Sequence, residues 1–353
     1  SGHRFRLWVS LGARAKRPAI KLSDFDYELP PDAIAQEPAE PRDAARLLVH
    51  RIGCDETFHA RVRELPSLLA SGDLLVVNDT RVLPARLFGT RPSGGALEVL
   101  LLEPLEGERW RVLARPAAKL HPGDALVLAG GELVAEALER LERGTWIVRL
   151  VSPGGVGVQD VLERAGAMPL PPYIRREHGD PRAARDRERY QTVYAREPGA
   201  VAAPAAGLHF TPELLARLER AGVERASVTL HVGPGTFLPV ETEDIDAHAM
   251  HAERLRVPAE TALAFERCRA RRGRVIAVGT TSVRALESSP DQGGRLRGTS
   301  GETRLFLRPG ARFRAVDVLL TNFHLPRSTL LMLVAAFAGR ERTLRLYREA
   351  LEL

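Results

Sequence analysis

The sequence predicts an α/β (α+β) fold, a large discontinuous domain with an inserted small β-barrel domain. Three observations carry that reading. Four short stretches, ending at Val77, Val232, Val278 and Leu320, read as buried strands, three as apolar runs and the one ending at Val232 by alternation, and helical patterns alternate with them. Between Val82 and Val151 the texture changes to short strands separated by turn signals, which indicates a small barrel. The strand and helix alternation then resumes, so residues 82–151 read as an insertion between 22–81 and 152–353. At 353 residues and 44% hydrophobic content, the chain exceeds one ordinary domain of roughly 100 to 200 residues and can fill two cores.

Taken in order, Ser1-Gly2-His3 reads as a tag remnant, and the basic stretch up to Lys21 lacks the apolar core of a secretory signal. Residues 1–21 are therefore set outside the fold. LSDFDYELPPDAIAQ, from Leu22, is a short helical reading broken by Pro30-Pro31, and Arg46 to His50 is a strand. DLLVV, Asp73 to Val77, is a buried strand that ends in the polar cluster Asn78-Asp79-Thr80-Arg81. The barrel strands are ARLFG, ALEVLLLE, RWRVLAR, DALVLAG and TWIVRLV. Ser93-Gly94-Gly95, His121-Pro122-Gly123-Asp124 and Gly130-Gly131 supply turns between them. After a Gly-rich turn comes a helix from Val158 to Ala165, then Leu170-Pro171-Pro172-Tyr173-Ile174. The run RREHGDPRAARDRER that follows holds six arginines and is expected to be a solvated, flexible loop.

Arg189 to Thr211, RYQTVYAREPGAVAAPAAGLHFT, crowds polar and aromatic groups together without helical or strand periodicity. Arg189, Tyr190, Gln191, Tyr194 and His209 offer donors, acceptors and π-faces there. Thr211-Pro212-Glu213 opens a helix with a cap, a proline at the first helical position and an acid at the positive end of the dipole. Its apolar face is Leu214, Leu215 and Leu218, and Gly222 ends it. Arg225 to Val232 alternates, with Ser227, Thr229 and His231 on the polar face. The turn Gly233-Pro234-Gly235-Thr236-Phe237 lets a ligand approach backbone, which makes Thr236 and Phe237 candidates. Val275 to Val278 ends in Gly279-Thr280-Thr281-Ser282, whose amides and hydroxyls at a helix start suit an anion. Arg284 and Glu287 are expected on that helix's exposed turns, and Ser288 to Thr303 as a mobile Gly/Ser-rich spacer. Val316 to Leu320 ends in Thr321-Asn322-Phe323-His324 and leads to a helix capped by Ser328 and closed at Gly339.

All four buried strands thus deliver polar groups just past their carboxyl ends, the edge at which open α/β sheets bind ligands. The convergent set is Asn78, Asp79, Arg81, His231, Thr280, Thr281, Asn322 and His324, joined by His209. Lys plus Arg number 51 against 45 acids, a net charge of +6 with a pI near 9.8, which favours a polyanionic partner. Cys54 and Cys268 form neither a disulfide framework nor a zinc motif, as expected of a cytoplasmic chain. No run of about 18 apolar residues suggests a membrane span. Gly233-x-Gly235 lacks the third glycine of the dinucleotide fingerprint, and no phosphate-binding G-x-x-x-x-G-K-[S/T] occurs. His248, His251 and Glu253 leave a metallohydrolase open, although the spacing, one helical turn, departs from H-E-x-x-H. A noncatalytic RNA-binding protein would account for charge and barrel but not for the polar strand ends.

NDTRVLPARL, LPPYI, RYQTVYA, GAVAAPAAGLHFT, VTLHVGPGTFLPV, HAMHAE, VGTTSVRALES and VDVLLTNFHLPRSTLLMLVAAFAG, in this order, strongly resemble the S-adenosylmethionine:tRNA ribosyltransferase-isomerases of queuosine biosynthesis. The resemblance runs from Leu22 to the C-terminus. It implies transfer of the ribosyl portion of S-adenosylmethionine, as co-substrate, to 7-aminomethyl-7-deazaguanine at the wobble position in the tRNA anticodon. The products are epoxyqueuosine tRNA, adenine and methionine, and no metal is required. It also implies a larger α/β domain interrupted by a β-barrel. Candidate acid/base groups are then His209, His231, His251 and His324, with Glu253 and Asp79 near the sulfonium. Arg81, Arg189 and Arg284 are candidates for the methionine carboxylate or tRNA phosphate, and Tyr173, Tyr194 or Phe237 for stacking on a base. Two positions depart from the pattern: Ala205 stands where the family usually has threonine, and Pro234 where it has a small or aliphatic residue.

Overall fold

The computed structural model describes residues 20–177, 179–233, 240, 242–291 and 293–353; nearly all of the 1–21 extension and Pro234, Thr236 and Phe237 lie outside them. An antiparallel pair, β1 (Arg46–Arg51) and β2 (Glu56–Arg61), precedes the short helix α1 (Leu65–Leu68). Next come β3 (Leu74–Asn78) and β4 (Thr80–Val82). The barrel follows as β5 (Arg86–Thr90), β6 (Ala96–Pro104), β7 (Arg109–Arg115), β8 (Ala125–Leu128), β9 (Leu133–Arg140) and β10 (Thr145–Val151), closed in the order β10-β7-β6-β5-β8-β9. Helices α2 (Val158–Ala165) and α3 (Ala183–Arg189) lead to β11 (Glu197–Ala200), which pairs in parallel with β4. The chain then runs through α4 (Pro212–Arg220), β12 (Glu224–Leu230), β13 (Glu253–Val257), α5 (Ala259–Ala270), β14 (Val275–Val278) and α6 (Thr280–Glu287). It ends with β15 (Thr299–Thr303), β16 (Val318–Leu320), α7 (Thr329–Ala338) and α8 (Arg340–Glu352).

The large sheet has the order β15-β13-β12-β3-β14-β16. β12, β3, β14 and β16 are mutually parallel neighbours, while β13 and β15 add antiparallel strands beyond β12. The apolar run of β3 follows from its central position. Leu74 and Val76 pack with Phe265, Val283 and Leu286 on one face, whereas Leu75 and Val77 pack with Phe210, Leu214 and Leu218 on the other. Alternate side chains meet helices on both sides, so every position must be apolar. The barrel has its own core, with Trp146, Val148 and Leu150 turned inward against Leu87, Val99 and Leu126, and with Val161 and Leu162 of α2 packed on it.

Three expectations need correction. The arginine-rich run is ordered by carboxylates: Arg176 pairs with Asp186, Arg182 with Asp180 and Glu37, and Arg189 with Glu40. The segment 288–303 is anchored by buried Leu296 and ends in β15, which pairs with β13. Arg284 is buried and Glu287 half-buried, because α6 lies against β12, β14 and β13 and has little exposed face. In the barrel, β9 was not foreseen as a strand; its Leu, Ala and Glu content favours a helix locally.

Register places Val228 opposite Asn78, Ala277 opposite Val76 and Val278 opposite Leu320, so the carboxyl ends of the four parallel strands align. Asn78 locks this edge. Its side-chain amide donates to the Leu230 carbonyl at 2.9 Å, and its oxygen accepts from the Leu230 and Thr80 amides at 3.0 and 3.2 Å. The residue is fully buried, so its removal leaves those backbone groups unpaired. Asn78→Ala is expected to lower unfolding free energy by about 2–4 kcal/mol, measured by denaturant titration. A change under about 0.5 kcal/mol, the range of an ordinary surface substitution, would show that the lock is dispensable.

Candidate active site

The centre of the site is a 3-10 turn, Ala205–His209, laid across the aligned strand ends. Gly207 is required there, since a Cβ would stand 2.2 Å from the Tyr194 hydroxyl and 2.9 Å from Thr192 Cγ2. On its other side the turn meets the start of α6: a Cβ built on Gly279 lies 3.8 Å from Ala206 Cβ and 3.5 Å from Thr281 Oγ1. Gly279 has φ +88°, a conformation that also favours glycine. Ala205, at the head of the turn, is exposed.

His209 closes the turn. Asn322 Nδ2 lies 3.3 Å from its Nε2, while the ring also bonds the backbone of Arg42. An amide N–H pointing at Nε2 leaves the ring proton on Nδ1 and a lone pair on Nε2. Burial is the main cause holding this imidazole below its ordinary pKa, and the charges of Arg42 and Arg189 act in the same direction. Arg42 organises the surroundings. Its guanidinium donates to the carbonyls of Gln191 at 2.8 Å, Glu188 at 2.9 Å and Leu208 at 3.2 Å, and thereby ties both ends of the 188–209 segment together.

Around this turn several buried polar atoms have no hydrogen-bond partner among the described residues: Tyr194 OH, Thr192 Oγ1, Thr281 Oγ1 and Asn322 Oδ1. Buried polar groups are normally satisfied, so an unsatisfied cluster beside an unprotonated imidazole has the character of a ligand site. Thr280, next to Thr281, is buried at the first position of α6.

The other candidates are held in local networks. Asp79 is buried, accepts from Thr229 Oγ1 at 2.7 Å and from Arg196 at 2.8 Å, and has its pKa raised chiefly by burial. His231 Nδ1 lies 2.8 Å from Thr80 Oγ1, and its ring packs where a Cβ on Gly199 would come within 2.9 Å. Burial, followed by Arg254, lowers the His231 pKa. Glu253 accepts from the Gly233 amide at 3.0 Å and forms a buried ion pair with Arg284. Burial pushes the Arg284 guanidinium down to about 10, and its Nη2 has no partner among the described residues. Asn78, Asp79 and Glu253 thus hydrogen-bond to neighbouring protein groups.

His324 Nε2 lies 3.0 Å from Thr321 Oγ1, and burial takes its pKa to about 4. Tyr27 OH donates to the His324 carbonyl at 2.6 Å, and the His324 amide donates to Tyr347 OH at 3.0 Å. His251 is exposed, and His248 packs edge-on against Phe306. The helical turn expected for this pair is replaced by irregular backbone leading into β13. Among the described residues no three His, Cys, Asp or Glu side chains gather in a metal-ligating group.

Arg81 and Arg189 line a cleft of about 630 Å³ that Arg42, Arg187, Gln191, Thr192 and Thr211 also line. Arg81 is exposed and pairs with Glu163, while Arg189 pairs with Glu40 and donates to the Ala39 carbonyl. Gln191 pairs its amide with both the N–H and the C=O of Val82, in place of a neighbouring strand. Tyr173 keeps a partly open ring, whereas Tyr194 is turned inward against Phe210. Arg42, Arg196, Thr229 and Tyr347 were not singled out by sequence. Nothing in their neighbours marks them, because partners lie far along the chain: Arg42 bonds the carbonyl of Leu208, 166 residues away, and Tyr347 packs on Tyr27.

The chain matches the family described as "Queuosine biosynthesis protein" over residues 22–353. An S-adenosylmethionine:tRNA ribosyltransferase-isomerase from Anaeromyxobacter sp. (strain Fw109-5) is 56% identical, covering 94% of each chain. The enzyme of that name from Geobacter metallireducens is 52% identical, over 94% of this chain and 95% of its own. A crystal structure of S-adenosylmethionine tRNA ribosyltransferase from Thermotoga maritima is 39% identical over 94% of this chain and 95% of that one, with a TM-score of 0.49. On the match across residues 22–353 and on relatives more than half identical over nearly its whole length, the chain belongs to the queuosine biosynthesis protein family.

Proposed function

We propose that this chain transfers the ribosyl portion of S-adenosylmethionine to the aminomethyl group of 7-aminomethyl-7-deazaguanine at the tRNA wobble position. The products are epoxyqueuosine tRNA, adenine and methionine. The observation that carries the reading is the Ala205–His209 turn, where an imidazole kept unprotonated adjoins unpartnered buried polar atoms. The sulfonium acidifies the C5′ hydrogen of its ribose, so a neutral base can remove that proton. His209 Nε2 is the base in this account. Loss of adenine follows, then attack by the tRNA amine and epoxide closure with departure of methionine. Thr281, Asn322 and Tyr194 supply hydroxyl and amide groups for the ribose and amino-acid portions, and the start of α6 favours the methionine carboxylate.

Asp79 and Glu253 act through their networks: Asp79 orders Arg196 and Thr229, and Glu253 neutralises buried Arg284. The tRNA anticodon region approaches along the cleft of Arg81, Arg187 and Arg189. Exposed pairs such as Arg81 with Glu163 hold weakly, so phosphate can displace the carboxylate. A tRNA substrate places the reaction in the cytoplasm. Among the described residues no helix is long and apolar enough to cross a membrane.

Precursor tRNA incubated with S-adenosylmethionine should gain the mass of the transferred group while adenine is released, read by mass spectrometry. No mass gain under conditions where both substrates bind would overturn the assignment. His209→Ala should slow adenine release by roughly 10²-fold or more with an unchanged melting transition. Because the neutral imidazole is the active form, the rate is present above the His209 pKa and lost as pH falls through it. Burial puts that acid limb below the ordinary imidazole value of about 6.5. Arg42→Met removes a neighbouring positive charge and should move the limb upward; an unmoved limb would detach Arg42 from His209. Ala205→Thr restores a hydroxyl at the head of the turn. It should lower KM for S-adenosylmethionine by about 3- to 10-fold, the worth of one hydrogen bond, and an unchanged KM would mean that no contact is missing.

A further inference from the structure

Tyr173 and Phe323 are the aromatic side chains with the most open surface among the described residues, at 40% and 54% exposure. Phe323 stands between Asn322, which contacts His209, and His324. Its ring is not loose. It packs against Tyr347 with centroids 4.8 Å apart and planes at 83°, and Tyr347 packs in turn on Tyr27 at 5.3 Å and 77°. The same two tyrosines grip the backbone next to it, through Tyr27 OH to the His324 carbonyl and the His324 amide to Tyr347 OH. Ser328 Oγ fastens the Leu325 carbonyl at 2.8 Å, and the Arg327 amide donates to the Phe25 carbonyl at 2.9 Å. Leu325, 43% exposed, extends the apolar surface beside the ring.

A lone exposed phenylalanine is ordinary. This one is fixed in orientation by an aromatic relay, held at the mouth of the strand-end site, and left more than half open. Near-perpendicular packing covers one part of a ring and leaves aromatic surface free. Unpaired RNA bases bind proteins by stacking on such surfaces, and a wobble base must leave its own stack before its aminomethyl group can reach the ribosyl group of S-adenosylmethionine.

We infer that Phe323 is the platform on which an unpaired nucleobase of the tRNA anticodon loop stacks as the wobble base enters the site. The inference rests on the proposed tRNA reaction and adds a base-stacking contact to the arginine-lined cleft along which the RNA approaches. The adenine of S-adenosylmethionine is the other purine present. The ribose and amino-acid portions of that co-substrate are placed on the buried Thr281 and Asn322 atoms, so the co-substrate lies inward of a ring that faces solvent.

The test uses the full chain and precursor tRNA, with dissociation constants from fluorescence anisotropy and KM values for both substrates. Phe323→Leu keeps an apolar side chain and removes the π-face, Phe323→Trp keeps a π-face, and Leu263→Ser is a control at an exposed apolar position on α5. Phe323→Leu should weaken tRNA binding by about 5- to 100-fold, the range of one base–aromatic stack. KM for S-adenosylmethionine and the melting transition should stay unchanged. Phe323→Trp should bind within about threefold of wild type, and Leu263→Ser should match it. Wild-type tRNA affinity in Phe323→Leu, an equal loss in Phe323→Trp, or a defect confined to S-adenosylmethionine would each overturn the inference. Binding is read without turnover, so a wild-type chain that binds tRNA but releases no adenine would refute the reaction and not the platform.

Discussion

The site depends on the burial of β3 between two parallel neighbours. A strand paired on both edges and covered on both faces cannot slip by one residue without turning its core against the wrong helices. The strands beside it inherit that register, so β12, β14 and β16 end level with it. Each of these ends must then satisfy backbone groups that the sheet no longer pairs. Asn78 does this for β3 and β12, and the Gly279 amide does it for β14 by donating to the Leu320 carbonyl. Polar residues at strand ends therefore have two possible tasks, closing the sheet and meeting a ligand.

Hydrogen bonding separates the two. Asn78, Asp79, Thr80, His231 and Glu253 all contact neighbouring protein groups. Four atoms around the Ala205–His209 turn, Tyr194 OH, Thr192 Oγ1, Thr281 Oγ1 and Asn322 Oδ1, have no partner among the described residues, and leaving buried polar atoms unpaired carries a real free-energy cost. A bound substrate that pairs with them removes that cost. The same burial keeps His209 unprotonated, so one feature of the environment serves both recognition and proton transfer.

Much of the architecture was legible in the sequence, because burial on both faces and helix capping leave local marks. Of the four parallel strands three were readable from apolar runs and β12 from its alternation, α4 from Thr211-Pro212-Glu213, and α7 from Ser328 and Gly339. β9 was not, since LVAEALER, with Leu133, Ala135 and Ala137 turned to the barrel core, uses mostly helix-forming types and is decided by barrel closure. At the site the sequence identified strand-end residues but could not tell which were already paired. Arg284 illustrates the difficulty, as a charged residue on a short helix packed against the sheet and paired there with buried Glu253. Arg42 is the converse case, unremarkable locally yet bonded to three distant carbonyls.

The central claim is that His209, on the turn between Tyr194 and Thr281, is the neutral base beside bound S-adenosylmethionine. Nitrogen-15 NMR of the histidine side chains, followed across pH with and without that ligand, tests it most directly. The account predicts that the His209 ring carries its proton on Nδ1, titrates below the ordinary imidazole range, and shifts on ligand addition more than His231, His251 or His324. A His209 ring protonated at neutral pH, or one left undisturbed while another histidine responds, would contradict it.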